Sequence, residues 1–179
     1  MVSGFNNQDE VIVSEAKIVI RFVAEKGLLA RFIRFQAGVA MPFTPNHVES
    51  VSPDGQWYYG EHARGGLLKR AKGYDAARLK AEFFVEIPCS QVQADAYYSY
   101  LESNLGMPYD WRSIVSFVFP LWNLHGRGEL ICSAITAAAM RAGKVLPWRL
   151  TVPFHHISPR DVLLMCSVLV DVPHPEMRL

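Results

Sequence analysis

The feature that most constrains this chain is a turn tripeptide, Pro53-Asp54-Gly55, set between two alternating runs, HVESVS at 47–52 and QWYYGE at 56–61. Asp-Gly supplies the positive φ that a tight hairpin turn requires. Alternation gives each flanking run one face for a core and a second face for another use. An antiparallel hairpin is the expected result. Other runs extend it: KIVIRFV at 17–23 is β-branched and alternating, a strand that Gly27 ends. Gly65-Gly66 marks a further turn, 67–70 reads as a third strand of this region, and AEFFVEI at 81–87 as a fourth strand stopped by Pro88.

Helical signals follow in the second half. Ser90 with Gln93 forms a capping-box pattern, opening a helix that runs to about Asn104 and stops at Gly106. Residues 111–121 are apolar and read as helical up to Pro120, and CSAITAAAMRA at 132–142 as a helix with Gly143 in the C-cap position. Ser158-Pro159-Arg160-Asp161 is a helix start that carries Leu163, Leu164 and Cys166 into the core. In the first half, Leu28, Leu29, Phe32, Ile33 and Phe35 sit at helical spacing opposite Arg31 and Arg34, a short amphipathic helix closed by Gly38. The expected class is α+β: an antiparallel sheet packed against helices, in a single domain over 1–179 with its core at about 17–170. The polar N-terminus and the proline-containing C-terminus read as tails.

Composition removes several function classes. Of 179 residues, 50% are hydrophobic and 20% charged, enough to bury a core and too apolar for disorder. Eighteen basic and 17 acidic residues leave a net charge of +1, without the basic excess that phosphate backbones require, so nucleic acid is not an expected partner. The longest apolar run, 114–124, is broken by Ser116, Pro120 and Asn123 and reaches about half the length of a membrane span. With no signal-peptide pattern at the N-terminus, the default location is the cytoplasm. Neither a metal-ligand spacing nor a glycine-rich phosphate loop appears, so no metal or cofactor is expected. Arg64, Lys69, Arg70 and Lys72 form a local basic cluster that reads as a solvated face, and Trp57, Tyr58 and Tyr59 as one half-buried sheet face.

Three cysteines, Cys89, Cys132 and Cys166, argue against a disulfide scaffold. Cys166 sits among apolar helix residues and reads as a core thiol. Cys89 lies at a strand-to-helix junction. Cys132 differs, because it follows the loop Gly126-Arg127-Gly128 and opens an alanine-rich helix. A thiol at a helix N-terminus faces unpaired N–H groups and the positive end of the dipole, which favour the nucleophilic thiolate. Such a nucleophile needs a base. Of six histidines, His125, His155, His156 and His174 lie in loops or the tail, whereas His47 begins a strand that can hold an imidazole rigidly. Glu49 shares its face, and Glu61 and His62 lie on the returning strand. Either strand can supply the group that orients the base, so the choice stays open from the residues alone.

Three segments, PNHVESVSPDGQWYYGEHARGG, then GMPYDW, then LICSAITAAAMRAG, together resemble the circularly permuted papain-fold cysteine peptidases related to the bacterial NlpC family. In the unpermuted family the tyrosine segment and the Cys-Ser helix start come before the His-Val strand. Here His47 precedes Tyr109 and Cys132, the order of the permuted group, which also resembles lecithin:retinol acyltransferase-like proteins. The resemblance runs from about Lys17 to Asp161. It implies a permuted papain-like fold with the nucleophile Cys132 at a helix N-terminus, His47 as general base and Glu61 as the acid that orients it. Tyr109 would lie near the oxyanion hole beside the Cys132 backbone N–H. The chain departs from the family pattern at Glu49, where glycine is common, and at His62, where a small residue is usual; these two therefore stand behind Glu61 as third members. The implied activity is thiol-peptidase hydrolysis of an amide bond in a peptide or cell-wall-type substrate. A lipid acyltransferase or thioesterase and an inactive binding module are the alternatives.

Overall fold

The computed structural model describes residues 16–26, 45–62, 65–108, 132–146 and 153–172. The stretches expected to be helical at 28–35 and 111–121 lie outside the described residues, as do Tyr109, His125, the Gly126–Gly128 loop and His174. In chain order the elements are β1 (Ala16–Glu25), β2 (His47–Val51), β3 (Trp57–His62), β4 (Gly66–Ala71), β5 (Leu79–Cys89), α1 (Gln91–Ser103), α2 (Cys132–Ala142), a 3-10 turn (Phe154–His156) and α3 (Pro159–Leu169). The architecture is α+β. One five-stranded sheet runs in the order β4-β3-β2-β1-β5, antiparallel throughout. Among the described residues no helix is long and apolar enough to cross a membrane.

The hairpin forms where the turn signal places it. Gly55 takes φ +70°, and the Asp54 carboxylate accepts from the Ser52 hydroxyl and the Gln56 N–H. The strand at 81–87 extends further than Pro88 suggests: β5 continues through Pro88, paired with Lys17, to Cys89. β5 is an edge strand, where the lost proline donor can face away from the sheet.

Strand β1, between β2 and the edge strand β5, carries Ile18, Ile20 and Phe22 into the main core. Phe22 stacks on Phe83 of β5 at 5.1 Å, beside Val85 and Ile87. Tyr97 and Leu101 of α1, Ile135 and Met140 of α2, and Val162 and Cys166 of α3 close that core. The expected capping box of Ser90 with Gln93 forms, and the helix start expected at Ser158 forms a second one with Asp161, each satisfying orphan N–H groups. Leu164 is a correction: it is 46% exposed, because α3 turns Leu163 and Cys166 inward and that stripe leaves Leu164 outside.

Two glycines are required by contact. A Cβ at Gly66 (φ +70°) would lie 1.8 Å from the Met107 carbonyl, which accepts the Leu67 N–H at 2.9 Å. The Gly106-Met107 turn is thus pinned to the head of β4. At the end of α2 the left-handed residue is Lys144 (φ 51°), with Lys144 N–H bonded to Arg141 and Val145 N–H to Met140 in a Schellman arrangement. Gly143 serves a different need from the positive φ its C-cap position suggests. A Cβ there would meet the Gln93 carbonyl at 2.8 Å, so glycine lets α2 approach α1.

Candidate active site

Asn46 fixes where β2 begins. Its side chain accepts from the Glu25 N–H at 3.0 Å and donates to the Glu25 carbonyl at 3.2 Å, acting as one more rung of the ladder to β1. The next residue, His47, pairs with Val23, and Glu49 pairs with Arg21. β2 and β3 pair Ser50 with Tyr59 and Val51 with Tyr58. Continued along the strands, that register sets Glu49 opposite Gly60 and His47 opposite His62, whose rings are 5.3 Å apart. Gly60 leaves room for the carboxylate: a Cβ at that position would sit 2.7 Å from Glu49 Oε1.

Glu49 is fully buried and four side chains converge on it. Arg21 Nη1 donates to Oε2 at 2.6 Å and the Tyr74 hydroxyl donates to Oε1 at 2.6 Å. His47 Nε2 lies 3.3 Å from Oε1 and His62 Nε2 3.6 Å from it. Arg21, itself 1% exposed, also bonds Asp75 and Glu82 and lies over the Tyr58 ring at 4.3 Å. Burial opposes its charge, but the charge of Glu49 and the bonds to Glu82, Asp75 and Glu49 hold its pKa above the usual range. Tyr74 and Asp75 are neighbours in the β4–β5 turn, so one short segment supplies two of these supports.

The electrostatics separate the two histidines. Burial works against a charge on His47, yet the charge of Cys132, a hydrogen bond to it, and the hydrogen bond and charge of Glu49 raise its pKa well above the ordinary value. His62 is pushed down to about 3, by burial first and then by the positive charges of His47 and Arg70. For Glu49, burial is outweighed by the hydrogen bond and charge of His47, then by Tyr74 and Arg21, which hold it at about 2. His47 is therefore the imidazole on which a proton is favoured, facing the anionic Glu49. His62 is a neutral neighbour.

Cys132 is the first residue of α2 and is 6% exposed. That first turn is tied down from two sides: the Ser133 hydroxyl donates to the Ile157 carbonyl, and the Thr136 hydroxyl to the Cys132 carbonyl at 3.0 Å. Cys166 is buried and its thiol is pushed up to about 12 by burial; burial also raises that of Cys89.

The structure thus brings together Cys132, His47, Glu49 and His62. Glu61 lies on β3 and is 1% exposed, but strand alternation turns it to the side of Leu67, its partner in β4 and a core residue, while Gly60 and His62 face Glu49. The carboxylate in contact with His47 is that of Glu49. Tyr109 lies outside the described residues. The local basic cluster is partly absorbed elsewhere, with Lys69 bonded to Glu102 and Arg70 over the Tyr74 ring at 5.0 Å.

Arg21, Tyr74, Asp75, Asn46 and Gly60 are the site residues that sequence reasoning missed. One signal existed: Arg21 is the one charge between Ile18 and Ala24 of an otherwise apolar run, and a buried charge needs partners. A metal-binding grouping was also missed. One ligand atom each from His47, Glu49 and His62 lie within 4.8 Å of one another, across a His-x-Glu strand and its hairpin partner that no linear spacing rule covers. Compared with protein-family models, curated proteins and solved structures, the chain has no match.

Proposed function

We propose that the chain is a cysteine hydrolase on a circularly permuted papain-like fold, cleaving an amide bond in a peptide-type substrate. The observation that carries this reading is the position of His47: close enough to Cys132, the first residue of a helix, for that thiol to raise its pKa, with its Nε2 3.3 Å from the buried Glu49 carboxylate. A nucleophile, a base and an orienting acid stand in order. With Nε2 at Glu49, Nδ1 is the ring nitrogen left for the sulfur. Glu49 takes the role that the family resemblance gives Glu61.

In this reading His47 takes the Cys132 proton, and the sulfur attacks the carbonyl carbon. The C–S bond forms and the carbonyl electron pair moves onto oxygen. The Cys132 backbone N–H, with the Tyr109 hydroxyl as the resemblance implies, holds the oxyanion. Collapse expels the amine, protonated by His47. Water, deprotonated by His47, then cleaves the thioester, releasing the acid and restoring the thiol.

Treatment with p-nitrophenyl acetate tests this. One acetyl group on Cys132, seen by peptide mass spectrometry with a burst of p-nitrophenol, is expected for the wild type. Both are expected to disappear in Cys132→Ser and to fall by at least about 100-fold in His47→Ala, the order of a lost general base. Acetylation of another cysteine, or an unchanged burst in His47→Ala, contradicts the reading.

A further inference from the structure

Three side chains that can offer ligand atoms converge at this site, His47, His62 and Glu49, with one such atom of each within 4.8 Å of the others. A tetrahedral zinc-class ion with bonds of about 2.0–2.1 Å spaces its ligand atoms by about 3.3–3.4 Å. The two edges that share Glu49 Oε1 measure 3.3 Å to His47 and 3.6 Å to His62. The third edge, between the histidines, is no longer than 4.8 Å. Three further features ready Oε1 for this use. Arg21 holds Oε2, so the carboxylate offers one oxygen. Gly60 leaves the space beside Oε1 clear of a side chain. The Tyr74 hydroxyl donates to Oε1, a carboxylate oxygen that keeps a second lone pair, an outer-shell contact of the kind that orients metal ligands.

We propose that His47, Glu49 and His62 bind one divalent cation of the zinc class, and that its occupancy switches the thiol site off. Two imidazoles and a carboxylate with an open fourth position are a donor set that suits zinc. Binding displaces the proton from His47 Nε2 to solvent and places that lone pair on the metal. The ring nitrogen that remains then carries the only ring proton, so His47 has no lone pair with which to accept the Cys132 proton. The binding rests on the three side chains alone. Only its consequence rests on the reading of Cys132 and His47 as nucleophile and base.

The test uses the full chain, stripped with EDTA and desalted. Zn2+ is titrated in competition with a chromophoric chelator, and Co2+ in a parallel titration followed by its visible absorption. One equivalent of each is expected to bind, with a Co2+ spectrum typical of a four- or five-coordinate site. His62→Gln should weaken Zn2+ binding at least as much as losing an outer-shell partner does, about 10–100-fold. Cys132→Ser should leave it within a few-fold. Saturating Zn2+ should slow alkylation of Cys132 by iodoacetamide at least about 10-fold. No stoichiometric binding, a six-coordinate Co2+ spectrum, an affinity unchanged in His62→Gln or one abolished in Cys132→Ser each overturns the site. Binding without slowed alkylation overturns the switch. The wild-type Co2+ spectrum decides the matter even if a variant fails to fold. If metal-free Cys132 reacts no faster than an ordinary thiol, the hydrolase reading falls, while the titration still judges the metal site.

Discussion

Along β2 the side chains alternate between two environments. Val48 and Ser50 point where Ile20, Phe22 and Tyr59 meet the helices, a largely apolar face in which Ser50 meets the Tyr97 hydroxyl at 2.6 Å. His47 and Glu49 point the other way, into a network with Arg21, His62, Tyr74 and Asp75. Both faces are buried, but they respond differently to damage. Apolar contact is non-directional, so losing one group costs roughly its own burial and cavity. A buried charge network is directional, and removing one member leaves the others desolvated and unpaired.

Substitutions can break that contrast. Arg21→Met removes the cation shared by three carboxylates and should cost about 3–5 kcal/mol, read by urea unfolding, with loss of Cys132 reactivity in whatever folds. A loss under 1 kcal/mol would mean that water, not Arg21, balances those acids. Leu101→Ala, on the apolar face, should cost about 2–5 kcal/mol, yet leave the alkylation rate of Cys132 per folded molecule unchanged. Equal damage to stability and reactivity there would show that the two faces are not separable.

Smaller changes sharpen it. Tyr74→Phe deletes one hydrogen bond to an ionised carboxylate, about 1.5–3 kcal/mol. It should slow Cys132 alkylation, because Glu49 loses a restraint. Gly60→Ala pushes a methyl against Glu49 Oε1 and should cost about 1–3 kcal/mol as overpacking, again with slower alkylation. Ser158→Ala removes a helix cap remote from β2 and should cost about 1 kcal/mol with no effect on Cys132. Thermal melts combined with peptide-resolved labelling separate these outcomes.

The apolar face was the more legible in sequence, because a period of two and a turn such as Asp54-Gly55 are local signals. The caps at Ser90 and Ser158 and the place of Cys132 at a helix start were legible for the same reason. The network was not. Arg21 meets Glu49, Asp75 and Glu82 only through strand pairing and a distant turn, contacts between 28 and 61 residues apart. Glu61 matched a family spacing, whereas register and alternation decide which acid reaches His47. Pro88 read as a strand end because its place at a sheet edge depends on β5 pairing with β1, which no local signal gives.

The central claim is that Cys132, His47 and Glu49 act as one thiol site. It is tested most directly by limited iodoacetamide labelling of the native chain at neutral pH, with each cysteine resolved by peptide mass spectrometry. The account predicts that Cys132 is modified first and that its rate falls at least about 10-fold in His47→Ala. Cys166, its thiol pushed up to about 12 by burial, should stay unmodified until the chain unfolds. Prior labelling of Cys89 or Cys166, or a Cys132 rate indifferent to His47, would contradict it.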